Sequence, residues 1–353
     1  MDSATALSSP PSSIPEPQLN VHYSAPGFCL PHPDTVSEFR RDKSNLVFCH
    51  GVAIVKISPE VVVKIGPHIN FIEAKNMTYV AENTGVPVPK VFACYTYGPI
   101  DRDPDDYRGV YDTYIFMTYI TGETLQVAWD GLDVSAKCQI TRQLTTYIQE
   151  IRNLESAGYI GSLEHGHVTD HSLSTSDDKG PFNSERDFNT ALVEVYQKNA
   201  PKRHIKAFFN GMLPESHRIL FAHVNVLIDE DCNVTGLIDW ELSTPLPFGV
   251  GFGRIHTYAG EYTGGEFWVP DEFEDAKRGF WHELFDGMPA DTRDKLEQDF
   301  ALIQDAVILG TFLDCFCFED GEVIVGAVSK KAIPKLLTYR IPFVRGDEPP
   351  YRD

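Results

Sequence analysis

The sequence predicts an α+β protein in which a small antiparallel sheet carrying one helix precedes a larger, mainly helical region. Short runs of alternating apolar residues bounded by turn residues crowd into positions 41–118, while long amphipathic segments dominate from 119 onward. A chain of 353 residues with 42% hydrophobic content is large enough to fill a core in each part. The expected division is a disordered or extended N-terminal segment over 1–40, a first lobe over 41–118, a second over 119–345, and a tail over 346–353.

Taken in order, "MDSATALSSPPSSIPEPQ" is rich in Pro and Ser and has no basic start or apolar run of a secretory signal, so it reads as a disordered lead-in. "LVFCHGVAIVKISPEVVVKI" alternates on both sides of a Ser-Pro-Glu turn and reads as two antiparallel strands. In "NFIEAKNMTYVAENTG", Phe71, Ile72, Ala74, Met77, Val80 and Ala81 fall near helical spacing before a glycine stop. "PVPKVFACYTYG" and "TYIFMTYITG" give two further strands. Beyond them "SAKCQITRQLTTYIQEIRNLES", "RDFNTALVEVYQK", "EDAKRGFWHELFD" and "DKLEQDFALIQDAVILGTFLDCFCF" read as helices. "NVLIDEDCNVTGLID", from Asn225 to Asp239, suits a hairpin with "DEDCN" at its tip.

The 30 basic and 51 acidic side chains leave a formal charge of -21, which disfavours nucleic acid and anionic membrane surfaces as partners. No run approaches 18 apolar residues, so no membrane span is expected. Seven cysteines without a repeated Cys-x-x-Cys spacing read as reduced thiols in a cytoplasmic protein. His165, His167 and His171 have a spacing that could bind zinc, but a solvated polar loop is the better reading.

The blocks "VVVKIG", "EAKNMTYVAENTGVPVPKV", "FMTYITGETLQVAWDGL", "GYIGS", "GPFNSERDFN" and "VTGLIDWE" occur in an order that resembles fungal members of the aminoglycoside phosphotransferase and choline kinase-like superfamily. The resemblance implies a bilobal protein-kinase-like fold that takes ATP and Mg²⁺. On that pattern Lys64 is the lysine that steadies nucleotide phosphates and Glu73 its ion-pair partner. Met117 and Tyr119 belong to a hinge that meets adenine. Asp239 and Asn225 are the metal ligands, oxygen donors being what a hard cation takes.

The sequence departs from the family at one place. Members read close to H-G-D-x-x-x-x-N, with an aspartate five residues before the asparagine to receive the acceptor's proton; here His223, Val224 and Asn225 follow one another directly, five residues short. General acid-base help is worth about 10²–10⁴ in rate, so phosphoryl transfer should fall steeply. Glu241 is the one nearby carboxylate that could substitute.

Three functions follow. In the first, no nucleotide or metal is needed: the site is repurposed for ATP-independent conversion, such as cyclisation, of an apolar small molecule in fungal secondary metabolism. Phe248, Phe252, Tyr258, Tyr262 and Trp268 then form an aromatic wall, and Lys64 or His223 polarises the substrate. The second is an active Mg-ATP-dependent small-molecule phosphotransferase. The third is a nucleotide-binding pseudokinase that regulates a protein partner. The sequence ranks the first ahead of the other two.

Overall fold

The structure, a computed structural model, describes residues 15–102, 110–154, 158–169, 179–199, 218–221, 225–240, 243–247, 249–252, 261–263, 266–268, 271–298, 300–319, 322–325 and 341. The chain divides into two compact units, Met1–Ala74 with Lys90–Tyr119, and Lys75–Pro89 with Ile120–Asp353. The α+β organisation expected from the sequence is present.

The first unit is built on a six-stranded antiparallel sheet of β1 (Gln18–Ser24), β2 (Leu46–His50), β3 (Val52–Lys56), β4 (Val61–Gly66), β5 (Val91–Gly98) and β6 (Asp112–Thr118), in the order β1-β5-β6-β4-β3-β2. Two strands were expected between Leu46 and Ile65, and there are three. Gly51 adopts a left-handed conformation (φ 74°) that side chains disfavour, and the chain reverses there so that His50 pairs with Val52. At the next reversal Ser58 Oγ accepts from the amides of Glu60 and Val61.

Within the segment up to residue 40, expected to be disordered or extended, a strand and a helix are formed. Gln18–Ser24 is a paired edge strand along β5, with Val21 opposite Tyr95. Pro33–Arg41 is a helix, α1, entered through a cap in which His32 Nδ1 accepts from Asp34 N at 3.3 Å. Its Val36 is 1% exposed and joins Val55, Val63, Ala93, Tyr95 and Phe116 in one apolar cluster. Each such side chain contributes about 1.5–3 kcal/mol when buried, which outweighs the polar composition around it. Strand β4 is buried from Val62 to Gly66. Alternation places Lys64 on the sheet face opposite Val63 and Ile65.

The second unit contains the short strands β7 (Glu123–Thr124) and β8 (Arg218–Phe221) and the helices α3 (Val134–Arg152), α4 (Glu185–Asn199), α5 (Asp271–Asp286), α6 (Ala290–Gln298) and α7 (Phe300–Cys315). The last apolar segment was expected to be helical through Phe318. Its helix stops at Cys315, and Phe316–Glu319 pairs with Glu322–Val325 as a two-stranded ribbon. The core joins Phe252, Trp281, Leu284, Phe285, Leu296 and Val307. Among the described residues no helix is long and apolar enough to cross a membrane. Helix α2 (Ile72–Asn83) begins in the first unit and continues in the second.

Candidate functional site

Two pairs of polar residues singled out in the sequence are found in contact. Lys64 Nζ donates to Glu73 Oε2 at 2.8 Å and Oε1 at 3.0 Å. The lysine is 5% and the glutamate 1% exposed. Strand β4 supplies the lysine, flanked by Ile54 on β3 and Ile115 on β6. The first turn of α2 supplies the glutamate, and Asn70 Oδ1 starts that turn by accepting from Ile72 N at 3.0 Å. Burial pushes the thiol of Cys94 up to about 12, and the Glu73 carboxylate pushes it the same way. A lysine gripped by both oxygens of a buried carboxylate presents its ammonium in a fixed position, the arrangement needed to meet a polyphosphate.

The second pair lies in the second unit. Strands β9 (Asn225–Ile228) and β10 (Val234–Ile238) form the hairpin read from the sequence, and its register sets Asn225 opposite Ile238. Asp239 follows at once, and Asn225 Nδ2 stands 3.4 Å from Asp239 Oδ2. Asp239 has φ 74°, a left-handed conformation uncommon for a residue with a side chain.

The hairpin is held from several directions. At its tip Asp229 Oδ1 accepts from Asn233 N at 2.8 Å and Asp231 N at 3.0 Å, and the bonds from Asn233, backbone first, keep this carboxyl below its ordinary range. Helix α3 grips the same turn through Gln143, whose Oε1 accepts from Val234 N, and through Gln139 Nε2, which donates to Asp231 O. Leu237 N donates to Pro87 O at 2.8 Å. Gly236 lies against Ile120, and a Cβ there would come within 2.6 Å of Ile120 Cδ1.

The donor set suits a hard cation. Asp239 brings carboxylate oxygens, and a half-turn of the Asn225 amide brings its Oδ1 to the same place. Mg²⁺ is commonly held by one or two such ligands, with water and phosphate oxygens completing its shell. No cluster of three or more His, Cys, Asp or Glu side chains that could hold a metal occurs among the described residues. His167 Nδ1 lies 2.9 Å from Gly180 O, and the His165 ring lies tilted against Tyr159 with centroids 4.1 Å apart, so these two histidines are engaged locally.

The remaining candidates fare unevenly. Met117 is 8% exposed in β6 between Val62 and Val91. Tyr119 N donates to Glu60 O at 2.8 Å, Thr118 N donates to Lys90 O at 3.0 Å, and Lys56 Nζ sits 3.8 Å over the Tyr119 ring. Both amides are committed to the first unit, so adenine recognition by this stretch would have to use other groups. Phe252, expected in an aromatic substrate wall, is instead core: it is 1% exposed and packs edge-on to Phe280 and Trp281. Tyr262 pairs with Phe267, and Trp268 with Glu261, in a two-stranded ribbon. His223, Glu241, Phe248, Tyr258 and His171 lie outside the described residues.

One site feature escaped the reading of the sequence. Asn76 donates through Nδ2 to Trp240 O at 3.0 Å and to Ser243 O at 3.2 Å. A polar residue on the apolar stripe of α2, three places after Glu73, was the available signal.

No family model matches the chain, and no curated protein matches it. Solved structures do, at low identity. A thermostable mutant of aminoglycoside phosphotransferase APH(4)-Ia, in ternary complex with AMP-PNP and hygromycin B, is 14% identical over 80% of this chain and 97% of that one, with a TM-score of 0.45. The streptomycin-ATP-APH(2")-IIa ternary complex is 13% identical over 89% of this chain and 98% of that one, also at 0.45. An aminoglycoside-3'-phosphotransferase of type VIII is 14% identical over 79% and 98%, at 0.46.

Proposed function

We propose that this chain binds a magnesium-complexed nucleoside triphosphate and has a severely weakened capacity for phosphoryl transfer. The observation that carries the reading is the hairpin that delivers Asn225 and Asp239 side by side, 3.4 Å apart, at the positions where the sequence pattern expects metal ligands. The buried Lys64–Glu73 pair supports it independently by supplying the cation that a polyphosphate needs. When bound, the metal would neutralise phosphate charge, with Asp239 and Asn225 holding it.

The weakness lies upstream of Asn225. The residue five places before it is Leu220, which sits in the strand Arg218–Phe221 opposite Pro245. A leucine has no proton to exchange, and a strand residue paired in a ladder is poorly suited to track an acceptor hydroxyl. Binding without efficient turnover follows, and with it the pseudokinase reading over an active phosphotransferase. ATP-independent cyclisation drew on an aromatic wall, and of its residues Phe252 lies in the core while Phe248 and Tyr258 lie outside the described residues.

Calorimetric titration of the full chain with ATP, with and without Mg²⁺, tests the proposal. Binding that Mg²⁺ tightens, with that gain lost in Asp239→Asn, is expected, with ATP turnover near background. Silence at millimolar MgATP would overturn the reading.

A further inference from the structure

Asp239 has an unusual backbone. A left-handed conformation is strained for a side-chain-bearing residue and persists only where its surroundings over-determine it. On the N-terminal side the restraint is the β9–β10 ladder together with the bond from Leu237 N to Pro87 O. On the C-terminal side Trp240 is 1% exposed and its indole donates to Leu237 O at 2.8 Å, folding the chain back across Asp239. The carbonyls that follow are fixed by one side chain: Asn76 uses both hydrogens of its amide nitrogen, one on Trp240 O and one on Ser243 O. Ser243 N also donates to Trp240 O at 3.3 Å. Asn76 is 7% exposed, so these bonds meet little competition from water.

Resting on the metal-ligand reading of Asp239, we infer that Asn76 is a positioning residue for that carboxylate: it clamps the backbone after Asp239 and so sets the angle at which the carboxylate meets the cation. The amide need not touch the metal. Partners that orient a ligand commonly change metal affinity by about 10–100-fold when removed. Asn is suited to the task because its amide nitrogen offers two donors, whereas Asp at the same position would face the two carbonyls with acceptors.

The test is a titration of the full chain with Mn²⁺ followed by electron paramagnetic resonance, beside ATP affinity measured in EDTA. The variants are Asn76→Asp, Asn76→Ala, Asp239→Asn and the Asn76→Ala/Asp239→Asn double variant, each checked for folding by thermal melt. Asn76→Asp, or Asn76→Ala if the first does not fold, should weaken Mn²⁺ binding about 10–100-fold while leaving metal-free ATP affinity unchanged. The Asn76→Ala/Asp239→Asn double variant gives the no-binding baseline against which the single variants are read. Two results overturn the inference while leaving the proposed function intact: Mn²⁺ affinity unchanged in a folded Asn76 variant that Asp239→Asn abolishes, or an equal fall in Mn²⁺ and metal-free ATP binding. Failure of the unaltered chain to bind Mn²⁺, or Asp239→Asn binding it normally, would overturn the metal-ligand reading and this inference with it.

Discussion

Glu73 and Asn76 stand three residues apart on α2, both buried, and each serves a different chemistry: the glutamate grips the ammonium of Lys64, and the asparagine holds the backbone that follows Asp239. At that spacing they share a helix face, so one element of twelve residues carries a restraint for each of the two polar pairs.

The Lys64–Glu73 pair should be costly to break and cheaper to replace. Lys64→Ala leaves the Glu73 carboxylate buried without its ammonium and should destabilise the chain by about 3–5 kcal/mol in urea unfolding. Lys64→Met combined with Glu73→Leu should cost less than the sum of the single changes, because the double variant buries no charge. Simple additivity would show that the two side chains do not depend on each other.

Alkali should loosen the first unit. Burial raises the Cys94 thiol to about 12, raises the Tyr114 hydroxyl to about 12, and raises the Tyr95 hydroxyl further. These groups are neutral in the folded chain and ionise more readily in the unfolded one. Their contribution is therefore complete below the unfolded values of about 8.5–10 and is lost as pH rises toward the folded ones. Thermal melts should fall between about pH 9 and 12, and Tyr95→Phe should reduce that dependence. A melting temperature that stays flat across this range contradicts the burial of these groups.

Gly236 is where the hairpin meets Ile120. Gly236→Ala forces the Ile120 side chain aside and should cost about 1–3 kcal/mol. Shortening the neighbour with Ile120→Val removes the atom of closest approach and should recover part of that loss. Equal destabilisation in the single and double variants would place the strain elsewhere.

Phe252 separates packing from substrate binding. Phe252→Ala should lower stability by about 3–5 kcal/mol through the cavity left beside Trp281. A variant of normal stability would return the residue to the surface wall that the sequence suggested.

Much of this was legible in the chain. The β9–β10 hairpin could be read because its turn is dense in Asp and Asn between two short apolar runs, and α2 because its apolar residues keep helical spacing. The signals for β1 and α1 were present but weak. Leu19, Val21 and Tyr23 alternate, and Pro33, Asp34, Arg40 and Arg41 mark helix ends, but the flanking Pro and Ser suggested disorder. The role of Asn76 was illegible for a different reason. Its polar side chain interrupts the apolar stripe of α2, but the two carbonyls it serves lie more than 160 residues away, so the sequence marks the residue and not its partners.

The hairpin register also separates two fates that a degenerating site could share. Because side chains alternate along a strand, one residue gained or lost within β9 or β10 would turn Asn225 away from Asp239, whereas shortening ahead of Asn225 leaves the fourteen-residue interval untouched. A lineage can thus lose chain ahead of such a hairpin in one deletion and still inherit the Asn225–Asp239 pair whole.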